Sequence, residues 1–191
     1  LRCVGKYLYD NGMVDKKSIT IETPVGIKPV ELEVKQGTVK AACVDMGKAV
    51  LDPKSLPTLI GGEKIVAHPI QVGYRPYRIT CVSIGNPHCV VFSDKVDAIN
   101  VKTIGPEFEN CEYFPEGVNT EFIRVVNKAT IKMRVWERGN GETWSCGTGA
   151  AAAVVAAVLC GYCETLFQAC NYPLLFERWT QANALPNTYR I

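Results

Sequence analysis

Apolar and polar positions alternate over much of the chain, and the alternating segments predict β-strands. The predicted strands cover residues 18–23, 30–34, 38–46, 65–72, 77–85, 88–92, 119–126 and 129–137. Between the first three strands lie residues that favour turns, namely Pro24, Gly26, Pro29 and Gly37. The pattern therefore predicts a chain made mainly of short, antiparallel-looking strands.

Three other stretches predict helices. Residues 1–14 predict a helix that stops at Asn11-Gly12, because glycine commonly follows the last helical residue. Residues 95–108 predict a short helix and a turn, and the Ala/Val-rich run 150–160 predicts a third helix. The first and last helices are both short and apolar, and each has a cysteine near its start. This similarity indicates an internal duplication.

The spacing of these elements divides the chain into three parts. Residues 51–64 are rich in Pro and Gly and predict a link between two units. We expect one unit over residues 1–47 and a second over residues 48–163. Residues 164–191 have no clean period and many Asn and Gln residues. This tail is either irregular structure or sequence not shaped by the same fold.

Composition and charge narrow the classes of function. The formal net charge is +2 and no basic stripe is present, so no nucleic-acid partner is expected. The longest apolar run, 150–160, is shorter than the roughly 20 residues that span a bilayer, so no membrane association is expected. The nine cysteines are odd in number and lie mostly in apolar runs. They indicate reduced thiols in a cytoplasmic protein.

The most unusual position is Cys146, where a loop becomes a helix. Gly147, Thr148 and Gly149 follow it, and the first N–H groups of a helix have no partner within the helix. Those groups and the helix dipole favour an anion, so a ligand carboxylate could bind the N–H groups of Gly147 and Thr148. The same field is expected to lower the pKa of the Cys146 thiol towards neutrality. The alternative is a small apolar residue at a tight corner.

Other polar residues could reach the same place. Glu137 and Arg138 precede a Gly-rich turn that returns the chain to Cys146, although such a charge pair is more often solvated. His88 follows a Gly-Asn-Pro turn and is a candidate site residue, although a lone histidine is more often structural. The Cys160-x-x-Cys163 pair lacks further ligands and ends a helix, so no metal or redox role is expected.

Four segments, in order, carry a resemblance to a known family. They are VDMG (44–47), GNPHCVVF (85–92), PEGVNTEFIRV (115–125) and ERGNGETWSCGTGAAAAVVAA (137–157). From about Leu1 to Cys163 the chain resembles the diaminopimelate epimerase family. The resemblance implies an α+β fold of two pseudo-symmetric, barrel-like β-rolls, each around a central helix. The active site would lie between the rolls.

The resemblance also implies an activity and its residues. The expected reaction interconverts LL- and meso-diaminopimelate, in lysine and cell-wall precursor synthesis, without a cofactor. Two cysteines would act as thiolate base and thiol acid, and the full-length protein would be a homodimer. The matched positions are Cys146 as one catalytic cysteine; His88 and Glu137 as tuning residues; and Asn86, Asn119, Glu137, Arg138, Gly147 and Thr148 as substrate-binding residues.

The chain departs from the family pattern at both ends. The family's other catalytic cysteine lies in a Cys-Gly-Asn-Gly turn just before an Arg-Cys pair, which here is Arg2-Cys3. Cys3 therefore matches a structural cysteine, and the first domain is expected to be incomplete. The family's closing Gly-rich strands do not match after Cys163. We expect the 191 residues to be an inactive or partial fragment of an epimerase.

Three other functions fit parts of this sequence. A proline racemase-like or phenazine-biosynthesis-type isomerase of the same superfamily would share the fold. A non-catalytic remnant that associates with other chains would show no Cys146-dependent proton exchange. A cysteine hydrolase could use Cys146 with His88, but the sequence indicates no acyl substrate.

Overall fold

A computed structural model describes residues 1–23, 26–163, 167–171 and 175–179. Its first part is a three-stranded antiparallel sheet in the order β1-β2-β3. The elements are α1 (Arg2–Asp10), β1 (Ser18–Thr23), β2 (Gly26–Lys35) and β3 (Thr38–Val44). Helix α1 packs on β2 and β3. The buried Gly5 lets the helix approach, because a Cβ there would lie 3.1 Å from Leu32 Cδ2.

The end of α1 is as predicted. Asn11 caps the helix, and Gly12 has a φ of 68°, which favours glycine. Met13 N donates to Leu8 O at 2.9 Å, the long reverse bond that closes a helix with a glycine after its cap.

Strand β2 is longer than the predicted segment 30–34 and contains Pro29, which was expected in a turn. Pro29 pairs with Thr20 of β1 but lies beyond Val30–Val44, the last pair between β2 and β3. The missing N–H of Pro29 therefore falls where the β2–β3 ladder has ended, and the strand tolerates it. Strand β3 ends at Val44, two residues before the predicted end.

The second sheet has eight strands, seven of them in the order β11-β10-β8-β7-β6-β5-β4 with β9 paired to β8. The pairs β6–β7 and β8–β10 are parallel. The strands are β4 (His68–Val72), β5 (Arg75–Ser83), β6 (Pro87–Phe92), β7 (Asn119–Asn127), β8 (Thr130–Glu137), β9 (Gly141–Thr143), β10 (Phe167–Asn171) and β11 (Leu175–Trp179). Strand β9, in the Gly-rich turn, was not predicted.

Two helices lie on opposite faces of this sheet. Helix α3 (Gly147–Leu159) contacts β5, β6, β7, β8 and β10, and residues 149–157 of this helix are all buried. Helix α2 (Val101–Glu109) packs on the other face. Strand β7 shows the alternation: Ile123 is in the core around α3, whereas Phe122 is in the core under α2. A helix that is apolar on every side is stable only when other elements cover it, and the strands around α3 do so.

The remaining segments differ from the predictions in the bounds of their elements and, in the tail, in the presence of strands. Residues 51–64 contain no strand but include a 3-10 helix, Pro53–Ser55, and β4 starts at His68 instead of residue 65. The predicted helix at 95–108 is a 3-10 turn, Val96–Ala98, followed by α2. The tail predicted without elements contains β10 and β11, while residues 164–166, 172–174 and 180–191 lie outside the described residues. No described helix is long and apolar enough to span a membrane.

We predict that Gly105→Ala destabilises the protein by about 1–3 kcal/mol, although alanine favours helices more than glycine does. A Cβ at Gly105 would collide with the ring of Trp136, and the Trp136 indole is held by a 2.6 Å hydrogen bond to Glu109 Oε2. Urea unfolding measures the change. Gly61→Ala is the control, since a Cβ at Gly61 meets nothing within 4 Å. Equal stabilities for both variants would contradict this packing.

Candidate active site

One end of the second sheet gathers the predicted polar residues. His88 pairs with Asn119 in the parallel β6–β7 ladder, and Thr120 pairs with Trp136 of β8, so β6 and β7 begin where β8 ends. Helix α3 also starts here, because a short hairpin from β8 to β9 leads directly into it. The topology therefore brings His88, Asn119 and Glu137 to the end of the sheet that holds the start of α3.

Cys146 caps the first turn of α3. Its backbone is extended, with φ −122° and ψ 110°, and its Sγ accepts a hydrogen bond from Gly149 N at 3.4 Å. Thr148 Oγ1 lies 3.5 Å from the same sulfur. Only 6% of Cys146 is exposed. The predicted position of the thiol at a helix start is confirmed, and the thiol is more buried than its loop sequence indicates.

The expected acidity of this thiol is wrong. Burial, followed by the nearby carboxylate of Glu121, raises the pKa of Cys146 to about 12, and Glu137 acts in the same direction. The contacts with Thr148 and Gly149 N oppose this rise but do not cancel it. Desolvation of the thiolate thus outweighs the field of the helix start. The resting Cys146 side chain is a neutral thiol.

His88 lies completely buried beneath this turn, between two hydrogen-bond partners. Its Nδ1 is 2.7 Å from Glu121 Oε1, and its Nε2 is 3.0 Å from Asn86 Oδ1. Glu121 is also completely buried. Sequence reasoning singled out His88 and Asn86 but missed Glu121. Its signal was a lone carboxylate inside the apolar strand NTEFIRVV, on the same side as Asn119 and Ile123.

Asn119 and Arg138 are tied into the turn after β8. Asn119 Nδ2 donates to Pro87 O at 2.8 Å, and Asn119 Oδ1 accepts from Arg138 N at 2.9 Å. The Arg138 guanidinium donates to Glu116 O at 3.1 Å. A Cβ at Gly117 would lie 3.1 Å from Arg138 Cδ, so the stem of the arginine packs on that glycine. The side chain of Arg138 is held but remains partly exposed.

Glu137 and Arg2 complete the surroundings of the thiol. Glu137 accepts a hydrogen bond from Thr143 Oγ1, which joins the end of β8 to β9. Arg2 Nη2 would lie 3.9 Å from a Cβ built on Gly147, so the start of α1 approaches the start of α3. Burial lowers the pKa of the Arg2 guanidinium, which still places a positive charge beside Gly147. Arg2 was not among the predicted site residues.

Two other features lie away from this cluster. A cavity of about 620 Å³ contains the ion pairs Lys132–Asp97 and Arg134–Glu142, each 2.5 Å long. Its lining does not include Cys146. Cys160, at the opposite end of α3, contacts Thr80 Oγ1 at 3.4 Å. Within the described ranges, no group of three or more His, Cys, Asp or Glu side chains could hold a metal ion.

Two solved structures share the fold of this chain. A hydroxyproline epimerase from Agrobacterium vitis superposes with a TM-score of 0.65 at 13% identity, covering 98% of this chain and 60% of that one. A phenazine biosynthesis protein of the PhzF family from Bacillus anthracis gives 0.52 at 18% identity, covering 85% and 59%. The chain has the α+β fold of this group of isomerases.

Sequence comparison names the particular relatives. Residues 80–168 match the family model of diaminopimelate epimerase. The chain is 46% identical over 164 residues to the diaminopimelate epimerase of Acetivibrio thermocellus, covering 86% of this chain and 59% of the relative. It is 49% identical over 162 residues to that of Pelotomaculum thermopropionicum, covering 85% and 58%. By sequence, the chain is a homologue of the diaminopimelate epimerases and spans somewhat over half their length.

We predict that iodoacetamide at pH 7 modifies Cys146 more slowly than Cys3. Cys146 is buried and its pKa is raised to about 12, whereas Cys3 is exposed on α1. Only the thiolate reacts, so the Cys146 rate should climb about tenfold per pH unit without a plateau up to pH ~10. Peptide mapping with time measures both rates in one sample. Faster labelling of Cys146 at pH 7 would restore the original expectation of an acidic thiol.

Proposed function

We propose that this chain is part of an amino-acid epimerase that interconverts LL- and meso-diaminopimelate without a cofactor. The observation that carries the proposal is the Cys146 thiol at the first turn of a buried helix, within a segment homologous to diaminopimelate epimerases. There the N–H groups of Gly147 and Thr148 can receive the carboxylate at the reacting carbon. The thiol beside them can then exchange a proton with that carbon.

The α-proton of an amino acid is a very weak acid, so the carbanion needs strong stabilisation. In the proposed site that stabilisation comes from the fixed dipoles at the start of α3 and the charge of Arg2 near Gly147. Exclusion of water by the buried turn strengthens both effects. Because the Cys146 thiol rests in its neutral form, we assign it the role of acid that delivers a proton to the carbanion. In the reverse direction the thiolate formed would act as base.

Inversion at a carbon needs a second group on the opposite face of the substrate. By resemblance, that group is the thiol of a Cys-Gly-Asn-Gly turn preceding Arg2-Cys3. The approach of Arg2 to Gly147 supports this assignment, since it brings the start of α1 to the start of α3. The two cysteines would then face each other across the substrate.

The other end of the substrate gives the site its specificity. Diaminopimelate carries a second amino and carboxylate pair, and Arg138 offers a planar guanidinium that can bind a carboxylate through two hydrogen bonds. Asn86, Asn119 and Glu137 lie at the same end of the sheet and supply further polar groups. Proline and its derivatives lack this second charged end. A site with these polar groups therefore favours diaminopimelate over the substrates of the structural neighbours.

Several wider features form part of the proposal. We propose cytoplasmic location, a role in lysine biosynthesis and a homodimer for the full-length protein. We also retain the division at residues 1–47, 48–163 and 164–191. A cysteine hydrolase fits less well, because both ring nitrogens of His88 are engaged, one by Glu121 and one by Asn86. A hydrolase would need one of these nitrogens at the thiol.

We predict no net epimerisation by the 191 residues alone. A chimera that adds the N-terminal segment of the Acetivibrio thermocellus relative, with a Cys-Gly-Asn-Gly turn, and replaces residues 164–191 by that relative's C-terminal end should be active. Cys146→Ala in that chimera should lose turnover by several orders of magnitude. Stereochemical turnover and deuterium uptake at the α-carbon in heavy water are the measurements. Cys163→Ala, beyond the far end of α3, is the control and should remain active. An active Cys146→Ala chimera would refute the assignment.

We also predict that Arg138→Lys in the chimera weakens diaminopimelate binding by about tenfold or more, because an ammonium group cannot replace a bidentate guanidinium. The unfolding midpoint should change little, since among the described residues the Arg138 side chain makes one hydrogen bond, to Glu116 O. Calorimetric titration and thermal unfolding test both points. Arg124→Lys is a matched control on β7, where the arginine lies 3.6 Å from Asp97. A large loss of stability with intact binding would make Arg138 structural.

A further inference from the structure

Apart from its effect on the pKa of Cys146, the buried carboxylate of Glu121 has no role in the chemistry described so far. It lies on β7, completely buried, with Oε1 bonded to His88 and Oε2 without a hydrogen-bond partner among the described residues. An unpaired buried carboxylate oxygen is costly, so its retention calls for an explanation. The carboxylate also lies against α3: a Cβ at Gly149 would be 2.5 Å from Glu121 Oε1 and 3.2 Å from Cys146 Sγ.

We propose that Glu121 is a positioning residue that shares one buried proton with His88 and thereby fixes both Asn86 and the first turn of α3. The chain of contacts runs from Cys146 and Gly149 through Glu121 and His88 to Asn86. The proposal deepens the function proposed above and rests on it for the role of Asn86 and Cys146. It does not require Glu121 to touch the substrate.

The hydrogen-bond partners of His88 determine where the proton lies. Asn86 Oδ1 can only accept, so His88 Nε2 carries a hydrogen and donates it at 3.0 Å. The 2.7 Å contact between Nδ1 and Glu121 Oε1 then requires a second proton between the two atoms. Whether that proton is closer to nitrogen or oxygen, the pair is neutral overall. With Oδ1 held in this way, the Asn86 amide N–H groups remain free to turn towards a ligand carboxylate.

The same carboxylate acts on Cys146. Glu121 is the nearby charge that contributes most, after burial, to raising the pKa of the thiol. The partial positive charge at the start of α3 in turn favours a carboxylate beneath it. Among the described residues, the ionisable groups around this end of the sheet include His88 and Cys89 of β6, Glu121 of β7, Glu137 of β8, Arg138 after it, Cys146 at the start of α3 and Arg2 of α1.

The test needs no diaminopimelate, so its failure is distinct from failure of the proposed function. In the 191-residue chain, proton NMR should show a strongly downfield, slowly exchanging proton between His88 Nδ1 and Glu121 Oε1. Glu121→Gln, which keeps the shape of the side chain, should abolish this resonance. Because the first turn of α3 rests on this side chain, the variant should also change the rate of Cys146 alkylation at pH 8 measurably.

Two further variants separate positioning from simple charge. Glu137→Gln removes the other carboxylate that acts on Cys146, so alkylation should quicken while the His88 resonance stays. Gly149→Ala changes no charge but presses on Glu121 Oε1, so it should alter the resonance. Gly147→Ala should not, because only Arg2 Nη2 lies near, at 3.9 Å. The proposal would be overturned if the unmodified chain showed no downfield proton from the His88–Glu121 contact, or if a folded Glu121→Gln chain kept both the resonance and the alkylation rate.

Discussion

The burial of α3 on every side is the constraint on which the rest of the structure depends. Residues 149–157 of this helix are buried, and strands β5, β6, β7, β8 and β10 contact it. Ala and Val suit such a position, because small side chains let strands approach from several directions. Only the first turn of α3 reaches the end of the sheet. The polar residues of the site therefore have to gather around that turn, on the ends of β6, β7 and β8.

Burial also determines the protonation state of Cys146. A helix start stabilises a nearby negative charge by about 0.3–1 kcal/mol when exposed and up to ~2 kcal/mol when partly buried. The rise of the Cys146 pKa from the ordinary 9.0 to about 12 corresponds to about 4 kcal/mol in favour of the neutral thiol. Desolvation and the carboxylates of Glu121 and Glu137 thus exceed the helix field. The turn favours an anion brought by a ligand, not one formed on its own sulfur.

The elements of the fold could be predicted from the sequence because their periods are local. The strands of residues 18–23 and 119–126, the stop at Asn11-Gly12 and the Ala/Val helix all follow from side-chain spacing. The elements that the sequence did not predict depend on contacts between distant parts of the chain. Pro29 lies in a strand because the adjoining ladder has already ended there. Strands β10 and β11 pair within a sheet assembled from distant segments, so their own composition gave no signal.

The site residues likewise fall into two groups, those that the sequence reveals and those that only the structure reveals. Cys146, His88 and Asn86 stand next to glycines or turns, and such positions can be recognised along the chain. Glu121 is surrounded in sequence by strand residues, and only the register of β6 with β7 brings its carboxylate against His88. Arg2 is separated from Gly147 by most of the chain. Both residues act through space on Cys146 or its turn, so their roles depend on three-dimensional proximity that sequence spacing does not encode.

The structural neighbours and the sequence relatives resemble this chain in different respects. Structures at 13–18% identity share the fold of this chain, which indicates that the fold tolerates wide sequence change. The diaminopimelate epimerases share 46–49% identity with this chain, and residues 80–168, which match their family model, contain β6, β7, β8 and the first turn of α3. A buried helix needs only small apolar residues, whereas a first turn that holds a neutral thiol and rests on Glu121 leaves no room for a larger side chain at Gly149.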